Sequence, residues 1–389
     1  MKRKVGIVTA TRAEYGLLSP IIKELQRRNH TIETKVLVTG THLVKSFGET
    51  VQEIEKDGIK VDERIPILGE EDELESQITA RALCRFGSYF AKQKLDLLIV
   101  LGDRYELMGI CTAAMLHKVP IAHLHGGEIT EGAMDEAVRH AVTKLSYLHF
   151  TSTEQYRKRV IQLGEAPERV FCVGAPGIEN ITKTKLMSKK ELEESINFSL
   201  DRPYVMVTYH PATLAETGVE QQVNALLRVL KEHQEYCYIV TKANADAGGR
   251  KINKMLEDFS KANENVLLVT SLGMRRYLSA VKYSEFVAGN SSSGIIEVPS
   301  LKVPTLNIGE RQKGRIRAES VIDCGERYEE IAKAFEAAAS KEAKMKAQNV
   351  VNPYEDGNTS KRIADVVEEF LVQDKIKLQK KFYDVKFEV

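Results

Sequence analysis

A run of hydroxyl and glycine residues in the C-terminal half of the chain has the composition of a phosphate-binding turn. Residues 286–288 are apolar and predict a buried strand, and Gly289–Glu297 follows with the sequence GNSSSGIIE. The first turn of a helix leaves N–H groups without partners and carries positive potential, so such a junction can bind an anion. Serine hydroxyls add donors, and glycine lets a ligand approach the backbone. The same residue types cap ordinary helices, so this segment alone leaves both interpretations open.

Charged residues follow the other apolar runs of the chain. Asp103, Glu128 and Asp135 supply carboxylates, which can exchange protons near neutral pH when they are crowded and partly shielded from water. Arginine side chains suit a diphosphate because their planar donors pair with its oxygens. These residue types predict a nucleotide diphosphate held mainly by the C-terminal half and acid–base work on its sugar by the N-terminal half. The arginines that follow apolar runs are Arg12, Arg104, Arg311 and Arg315.

Alternating strands and helices must position these residues. The alternation predicts parallel sheets covered on both faces, and it is interrupted by a polar, charged stretch near residues 181–201. We therefore predict an α/β fold with two Rossmann-like domains, residues 1–180 and 181–365, that face a cleft. Ligands of such sheets bind outside the carboxyl ends of the strands. The predicted strands are 5–9, 36–40, 97–101, 119–124, 148–151, 170–173, 204–209, 236–241, 266–270, 286–288 and 303–308.

Composition limits the classes of protein to which the chain can belong. It has 389 residues, 43% of them apolar, and a net charge of +1, which predicts a globular protein of two domains. Nothing in the charge marks a nucleic-acid or membrane binder. The first apolar run, Val5–Val8, is too short for a signal peptide, and no run approaches the roughly 20 residues of a membrane span. We expect a cytosolic protein.

Two histidines on one predicted strand raise the question of a metal. His123 and His125 would point the same way on a strand and could bind one. The alternative is a hydrogen-bonding pair at the strand end. The five cysteines are scattered without a C-x-x-C pair, and no third histidine ligand is evident. We expect no metal.

Taken together, the motifs resemble the UDP-N-acetylglucosamine 2-epimerases, and most of all the hydrolysing branch that makes N-acetylmannosamine for sialic acid synthesis. The resemblance runs from Val5 to about Val367. It implies the glycosyltransferase-B-type fold, with the C-terminal helix and tail, 366–389, returning to the first domain. It also implies a homodimer or homotetramer and no cofactor. The motifs are Thr11–Tyr15, Gly102–Glu106, His125–Glu128, Asp135–His140 with Thr143–Lys144, His210–Pro211, Gly289–Gly294 and Gly309–Gly314.

The resemblance assigns roles to residues of this chain. Asp103, Glu128 and Asp135 match the catalytic carboxylates of the family, and His210 matches its catalytic histidine. Because non-hydrolysing relatives have an acidic dipeptide at Asp135-Glu136, either member could be the working carboxylate; we favour Asp135. Glu297 is expected on the ribose. The expected substrate and nucleotide contacts are Arg12, Arg104, Arg139, Asn244, Asp246, Asn290, Ser291, Ser292, Glu297, Arg311, Gln312 and Arg315.

The implied reaction is elimination followed by hydration. A carboxylate removes the proton at carbon 2 while UDP leaves carbon 1, and water then adds to the resulting 2-acetamidoglucal to give N-acetylmannosamine. The alternatives within the family are a nucleotide-linked 2,4-diacetamido-2,4,6-trideoxy sugar, as in legionaminic acid synthesis, and the non-hydrolysing 2-epimerase. Outside it, a glycosyltransferase of the same fold would need an acceptor, and a nucleotide-sugar sensor would bind without turnover.

Overall fold

The chain folds into two compact α/β units. The structure is a computed structural model that describes residues 2–69, 74–131, 133–211, 218–243 and 248–386. The first unit comprises Met1–Glu128, Asp135–Asn180 and Asp356–Val389, and the second comprises Ile129–Met134 and Ile181–Glu355. The chain thus returns to the first unit at Asp356, ten residues before the expected position. Among the described residues, no helix combines the length and the apolar character that a bilayer crossing requires.

The first unit is built on a parallel sheet in the order β3-β2-β1-β4-β5-β6-β7. The order reverses between β1 and β4, which is where sheets of this kind bind ligands. Strand β4 is buried throughout, with Leu97 and Ile99 in the core on one face and Leu98 in the core on the other. The strands are β1 (Arg3–Thr9), β2 (Ile32–Val38), β3 (Glu63–Arg64), β4 (Leu97–Leu101), β5 (Ile121–Leu124), β6 (Leu148–Thr151) and β7 (Val170–Cys172).

Helices cover both faces of this sheet. Their apolar residues recur at helical spacing: Leu18, Ile22 and Leu25 are fully buried on the first helix. Short 3-10 turns cover Gly40–Leu43, Lys45–Phe47 and Pro167–Arg169. The helices are α1 (Arg12–Arg27), α2 (Val51–Lys56), α3 (Glu75–Lys92), α4 (Glu106–Leu116), α5 (Asp135–Leu145), α6 (Glu154–Gln162) and α7 (Pro176–Lys183), the last of which begins in this unit.

The second unit has its own parallel sheet, in the order β10-β9-β8-β11-β12-β13. Its order reverses between β8 and β11, so the serine loop (residues 289–294) begins at the reversal point. The strands are β8 (Tyr204–Thr208), β9 (Cys237–Thr241), β10 (Val266–Val269), β11 (Val287–Gly289), β12 (Thr305–Ile308) and β13 (Val321–Cys324). The helices are α8 (Lys189–Ile196), α9 (Val219–Glu232), α10 (Gly249–Ala262), α11 (Gly273–Tyr283), α12 (Ser292–Ile296), α13 (Tyr328–Ala339) and α14 (Lys341–Asn349), with a 3-10 turn at Val298–Leu301.

The returning segment completes the first unit. Helix α15 (Thr359–Val372) packs on α1, where Arg28 donates to Glu368 at 3.1 Å. Beyond it, Lys380 donates to the last carbonyls around α5, those of Lys144 and Ser146, at 2.6 and 2.8 Å. The tail therefore anchors the C-terminal end of α5.

Candidate active site

Arg139 organises a group of charged side chains in the first unit. Its side chain is fully buried on α5. One guanidinium nitrogen donates to the Glu128 carbonyl at 3.0 Å and to Glu136 at 2.7 Å, and the other donates to Asp103. Residues from the turns after β4 and β5 and from the start of α5 thereby converge on one buried cation. The prediction that Arg139 contacts substrate stays a prediction, since these bonds go to groups of the protein itself.

Glu128 lies beside a histidine whose backbone leaves the strand. His125 has a φ of 65°, an uncommon conformation for a residue with a Cβ. Glu128 is 1% exposed, and its Oε1 lies 2.5 Å from His125 Nδ1 and accepts from Ser152 Oγ at 2.8 Å. Gly127 makes the turn possible, because a Cβ there would lie 2.4 Å from the Tyr156 carbonyl oxygen. The carboxylate and the imidazole form a fixed hydrogen-bonded pair.

The paired histidines of the sequence have separate partners. His123 is fully buried, with Nε2 2.7 Å from the Gly102 carbonyl oxygen and Nδ1 3.2 Å from Thr143 Oγ1. Burial lowers its pKa to about 3, so the ring is neutral. His125 bonds to Glu128 instead. Within the part of the chain that the structure describes, no cluster of three or more ligating side chains could hold a metal ion.

The acidic pair at the start of α5 is divided by its contacts. Glu136 is 2.7 Å from Arg139 Nη1 and 3.0 Å from His140 Nε2. Asp135 is half-buried at the first helical position, where the helix dipole favours a negative charge. Glu136 therefore contacts Arg139 directly, whereas the sequence favoured Asp135 as the working carboxylate, and that choice stays a prediction.

A further group of charges lies after β1 and β4. Glu14 caps α1 by accepting from the N–H groups of Ala10 and Thr11 at 2.8 and 3.1 Å. Burial raises the pKa of Glu14 to about 7, although the charge of Arg104 opposes the shift. Arg104 itself donates to Glu106 at 2.6 Å. Arg12 is a third exposed and lies 2.8 Å from a Glu53 oxygen.

In the second unit, Asn290 ties the serine loop to the turn after β8. The Asn290 side chain accepts from the N–H of His210 at 2.7 Å and donates to its carbonyl at 2.8 Å. Both backbone polar groups of His210 are therefore held by one amide. Gly289 permits this approach, because a Cβ there would lie 1.9 Å from the Thr208 carbonyl oxygen. The expected nucleotide contact Asn290 thus positions the predicted catalytic histidine.

The serine loop leads into a very short helix. Ser291 caps α12 by accepting from the Ser293 N–H at 3.4 Å, and Ser293 Oγ accepts from Tyr277 at 2.9 Å. The helix begins at Ser292, and Glu297 is the capping residue just after its last residue, Ile296. Ser291 and Ser292 are both half-buried residues.

The loop after β12 holds the serine loop in place by hydrogen bonds to its backbone. Arg311 Nη1 and Gln312 Nε2 donate to the Asn290 carbonyl at 3.1 and 3.0 Å. Gln312 is 1% exposed and Arg315 is 9% exposed. Arg317, which the sequence interpretation did not select, donates to the carbonyls of Arg315 and Gln312 at 2.7 and 3.1 Å. The expected contacts Asn244 and Asp246 lie outside the described residues.

The two units offer different chemistry. The first holds carboxylates, imidazoles and a buried guanidinium at the carboxyl ends of its strands. Carboxylates and imidazoles are the side chains that most often transfer protons in enzymes. The second holds amides, hydroxyls and arginines at the equivalent edge, which suits the binding of an anion.

Comparison with protein families and known proteins gives consistent results. The family described as UDP-N-acetylglucosamine 2-epimerase matches residues 23–368. The GDP/UDP-N,N'-diacetylbacillosamine 2-epimerase (hydrolyzing) of Campylobacter jejuni is 40% identical over 88% of this chain and 89% of its own. The polysialic acid biosynthesis protein P7 of Escherichia coli is 38% identical over 98% of both chains. The UDP-N,N'-diacetylbacillosamine 2-epimerase (hydrolyzing) of Legionella pneumophila is 33% identical over 93% and 94%.

A solved structure shows the same fold. The UDP-GlcNAc 2-epimerase of Neisseria meningitidis, bound to UDP-GlcNAc, superposes with a TM-score of 0.79 and covers 94% of this chain and 100% of that chain, at 23% identity. The predicted fold class, α/β with two Rossmann-like domains of the glycosyltransferase-B type, is confirmed.

Proposed function

Because the chain belongs to the UDP-N-acetylglucosamine 2-epimerase family, we propose that it is a hydrolysing 2-epimerase of nucleotide-linked N,N'-diacetylbacillosamine, a 2,4-diacetamido-2,4,6-trideoxy sugar. The names of two relatives support this choice of substrate. The relatives from C. jejuni and L. pneumophila, 40% and 33% identical over most of the chain, are both named as diacetylbacillosamine 2-epimerases. The sequence interpretation ranked UDP-N-acetylglucosamine first and this sugar second. The names of these relatives support the second candidate over the first.

The reaction divides into elimination and hydration. A base takes the proton from carbon 2, the electron pair forms a double bond between carbons 1 and 2, and the bond from carbon 1 to the diphosphate oxygen breaks. Water then adds its hydroxyl to carbon 1 and a proton to the opposite face of carbon 2. The sugar is neither oxidised nor reduced overall, so the reaction requires no redox cofactor.

The first unit supplies the proton transfers. Asp103 and Glu136 accept from the buried Arg139, which also holds the Glu128 carbonyl, and Asp135 precedes Glu136 at the start of α5. Carboxylates in unlike surroundings divide acid and base roles between them. His210, which lies in the second unit, completes the proposed catalytic set.

The second unit holds the nucleotide. Ser291, Ser292, Arg311 and Arg315 supply hydroxyl and guanidinium donors for the diphosphate, which becomes more negative as it leaves. Glu297, at the end of α12, is assigned to the ribose. We also propose that the enzyme is a cytoplasmic homodimer or homotetramer, which light scattering on a sizing column would test.

UDP-N-acetylglucosamine is the second candidate substrate. It is favoured by the E. coli relative, which is nearly as similar and is named for polysialic acid biosynthesis. The two sugars differ at carbons 4 and 6. The diacetamido sugar carries an acetamido group at carbon 4 and has no hydroxyl at carbon 6, whereas N-acetylglucosamine has a hydroxyl at both. A preference for one of them is therefore measurable as a ratio of kcat/KM.

The test is proton NMR of each nucleotide sugar with the enzyme in deuterated water. We expect free nucleoside diphosphate and a 2-epimeric sugar with deuterium at carbon 2, at a higher kcat/KM for the diacetamido substrate. A higher value for UDP-N-acetylglucosamine would select the second candidate. Deuterium in a sugar still bound to nucleotide would indicate the non-hydrolysing reaction. Binding without turnover would favour a glycosyltransferase or a sensor.

A further inference from the structure

The C-terminal tail, residues 373–386, lies on the first unit without forming a helix or a strand. Its burial pattern is the reverse of ordinary packing. Leu378 and Phe382 are 55% and 63% exposed, whereas the side chain of Lys380 is only 24% exposed. Lysine is among the side chains that proteins bury least, and a buried one needs partners. The tail therefore places an ammonium group, rather than an apolar side chain, against the first unit.

The Lys380 ammonium has an acceptor for each of its three N–H groups. Nζ donates to the carbonyls of Lys144 and Ser146 at 2.6 and 2.8 Å, and to Oε1 of Glu165 at 2.8 Å. The two carbonyls lie at the C-terminal end of α5, where a helix leaves carbonyls without partners and its dipole favours a cation. Lys380 thus caps α5 from 234 positions further along the chain.

Glu165 makes this position specific for a cation. The carboxylate is fully buried, and its other partners include Lys144 Nζ at 2.6 Å and His149 Nε2 at 3.2 Å. Although burial opposes ionisation, hydrogen bonds from these partners and from Lys380 lower the pKa of Glu165 to about 2, so the group is charged. A buried charge that loses one of its partners is destabilised, so this site favours a docked tail.

Two further contacts attach the tail on either side of the buried ammonium. The Phe382 ring covers Gly164 so closely that a Cβ there would lie 2.3 Å from a ring carbon, and the Tyr383 N–H donates to the Gly164 carbonyl at 2.9 Å. Nearer to α15, the Tyr147 hydroxyl donates to the Lys375 carbonyl at 2.9 Å. The tail is therefore held over its length and not by one side chain alone.

Helix α5 connects the tail to the charged group of the candidate active site. Arg139, which donates to Asp103, lies on this helix. Thr143 joins the helix to the same turn after β4 a second time. Its Oγ1 lies 3.2 Å from His123 Nδ1, and His123 Nε2 lies 2.7 Å from the Gly102 carbonyl oxygen. Because backbone hydrogen bonds make a helix rigid along its axis, an anchor at the C-terminal end sets the position of these side chains.

We propose that Lys380 is a positioning residue of the elimination reaction and that it acts through α5. This inference rests on the proposed function. The docked tail holds α5 where Arg139 meets Asp103. Without the ammonium, the end of α5 loses its cap and the carboxylates around Arg139 move relative to one another. A displacement of about 1 Å in such a group costs up to about 10²-fold in rate. The tail thus supports the chemical step, although it is not expected to touch the substrate.

The central test is Lys380→Ala in the full-length protein, with the exposed neighbour Lys381→Ala as the matched control. We expect kcat for the better substrate to fall by about 10–10²-fold in Lys380→Ala and to stay at the wild-type value in Lys381→Ala. The KM should change by less than about threefold, as expected for an interaction that matters only in the transition state. The affinity for the nucleoside diphosphate alone, measured by calorimetry, should be the same in all three proteins.

Chemical rescue separates positioning from a general loss of structure. Alanine keeps the Cβ of Lys380, and propylamine has the three carbons and the ammonium that the substitution removes. We expect propylamine to raise kcat of Lys380→Ala by at least about fivefold and to leave the wild type and Lys381→Ala unchanged. Propan-1-ol has the same carbons without the charge, so it should not restore kcat, because Glu165 needs a cation.

Hydrogen exchange tests the docking of the tail in the wild type. The Tyr383 N–H donates to the Gly164 carbonyl, so it should exchange at least about tenfold more slowly than in a free peptide of the tail sequence. In Lys380→Ala we expect the amides at the C-terminal end of α5 to exchange faster than in the wild type, and propylamine should slow them again.

Three results would overturn the inference. The first is a kcat of folded Lys380→Ala within about twofold of the wild type, far above the value expected for displaced catalytic groups. The second is a lost kcat that propylamine does not restore, or that propan-1-ol restores equally. The third is a wild-type Tyr383 N–H that exchanges as fast as in the free peptide, and this result stands even if the variant fails to fold. Failure of the proposed function is distinct, because the wild type would then turn over neither nucleotide sugar.

Discussion

The two units hold their polar residues in place by different means. In the first unit, charged groups bind one another: Asp103 and Glu136 meet on the buried Arg139, and Glu128 meets His125. In the second unit, neutral amides bind the backbone: Asn290 clamps His210, and Gln312 donates to the carbonyl of Asn290.

This difference assigns a separate task to each unit. Ionisable groups that share hydrogen bonds exchange protons readily, and their geometry depends on charge and pH. Amide-to-backbone bonds carry no charge and keep their geometry over a wide pH range. Apart from His210, the proposed catalytic histidine, the second unit is suited to holding a ligand in a fixed position, whereas the first is suited to chemistry. The following variants test that division.

The largest expected effect is on catalysis in the first unit. Asp103→Asn keeps the shape of the side chain and removes its charge, so we expect turnover to fall by about 10²–10⁴-fold. Binding of the nucleoside diphosphate, measured by calorimetry, should be nearly unchanged, because the second unit supplies those contacts. Asp374→Asn, at a side chain that is 81% exposed, is the control. Unchanged turnover in Asp103→Asn would remove this residue from the chemistry.

The next effect is on the stability of the charged group. Arg139→Met keeps much of the buried volume but leaves Asp103 and Glu136 without their shared cation. Removing one partner of a buried ion pair typically lowers the free energy of unfolding by about 3–5 kcal/mol. Urea unfolding would measure it, with Arg27→Met, at a side chain 75% exposed, as the control. A decrease in the free energy of unfolding of less than about 1 kcal/mol, the range of exposed ion pairs, would contradict this expectation. It would mean that water, rather than Arg139, stabilises the charges of Asp103 and Glu136.

The free energy of unfolding should also depend on pH, to a similar extent, through a residue of the first unit. Burial raises the pKa of Glu14 from 4.5 to about 7, so the folded protein binds this proton more tightly than the unfolded chain. The stability that protonated Glu14 contributes is complete below about pH 4.5 and is lost as the pH rises through about 7, a change of about 3 kcal/mol.

Glu14→Gln removes this titration. We expect the difference in unfolding free energy between the wild type and Glu14→Gln to change in favour of the variant as the pH rises from 4.5 to 8. Glu154→Gln, at an exposed side chain of the same unit, should follow the wild type across the range. Parallel curves for the wild type and Glu14→Gln would show that Glu14 titrates normally.

The smallest expected effect is in the second unit. Asn290→Ala removes the clamp on His210, and the His210 backbone N–H and C=O must find other partners. We expect the loss of the two hydrogen bonds to lower the free energy of unfolding by about 2 kcal/mol in total, at the net worth of about 1 kcal/mol for each bond. We expect weaker nucleoside diphosphate binding and a raised KM, with a pH dependence like that of the wild type. Asn349→Ala, at an exposed position, is the control. A change in the pH profile instead would show that the clamp on His210 affects proton transfer as well as ligand binding.

Local sequence predicted the fold well because apolar runs encode buried strands. The predicted strands 97–101 and 148–151 have the bounds of β4 and β6. Strands β3 and β13 were missed because they lie at the sheet edges: both residues of β3 are exposed and no residue of β13 is fully buried, so no long apolar run marks either strand. The resemblance to the epimerase family is confirmed, since it rested on several motifs together.

The site was less predictable, because its contacts join residues far apart in the chain. Strand periodicity placed His125 beside His123, but a backbone turn at His125 separates them. Nothing local distinguishes Asp135 from Glu136: the structure shows Glu136 bonded to Arg139 and His140, and the choice of Asp135 as the working carboxylate stays a prediction. The role of Arg139 as a buried hub also depends on Asp103, 36 residues away.

The hydrogen bond from the His210 N–H to Asn290 allows hydrogen exchange at a single amide to report when the serine loop separates from the turn after β8. The N–H of His210 is donated to the Asn290 side chain at 2.7 Å, so it exchanges with deuterium only when that bond opens. Its exchange rate therefore measures how often the serine loop and the turn after β8 come apart. A ligand that binds the serine loop should slow that single exchange, even if it contacts no atom of the histidine.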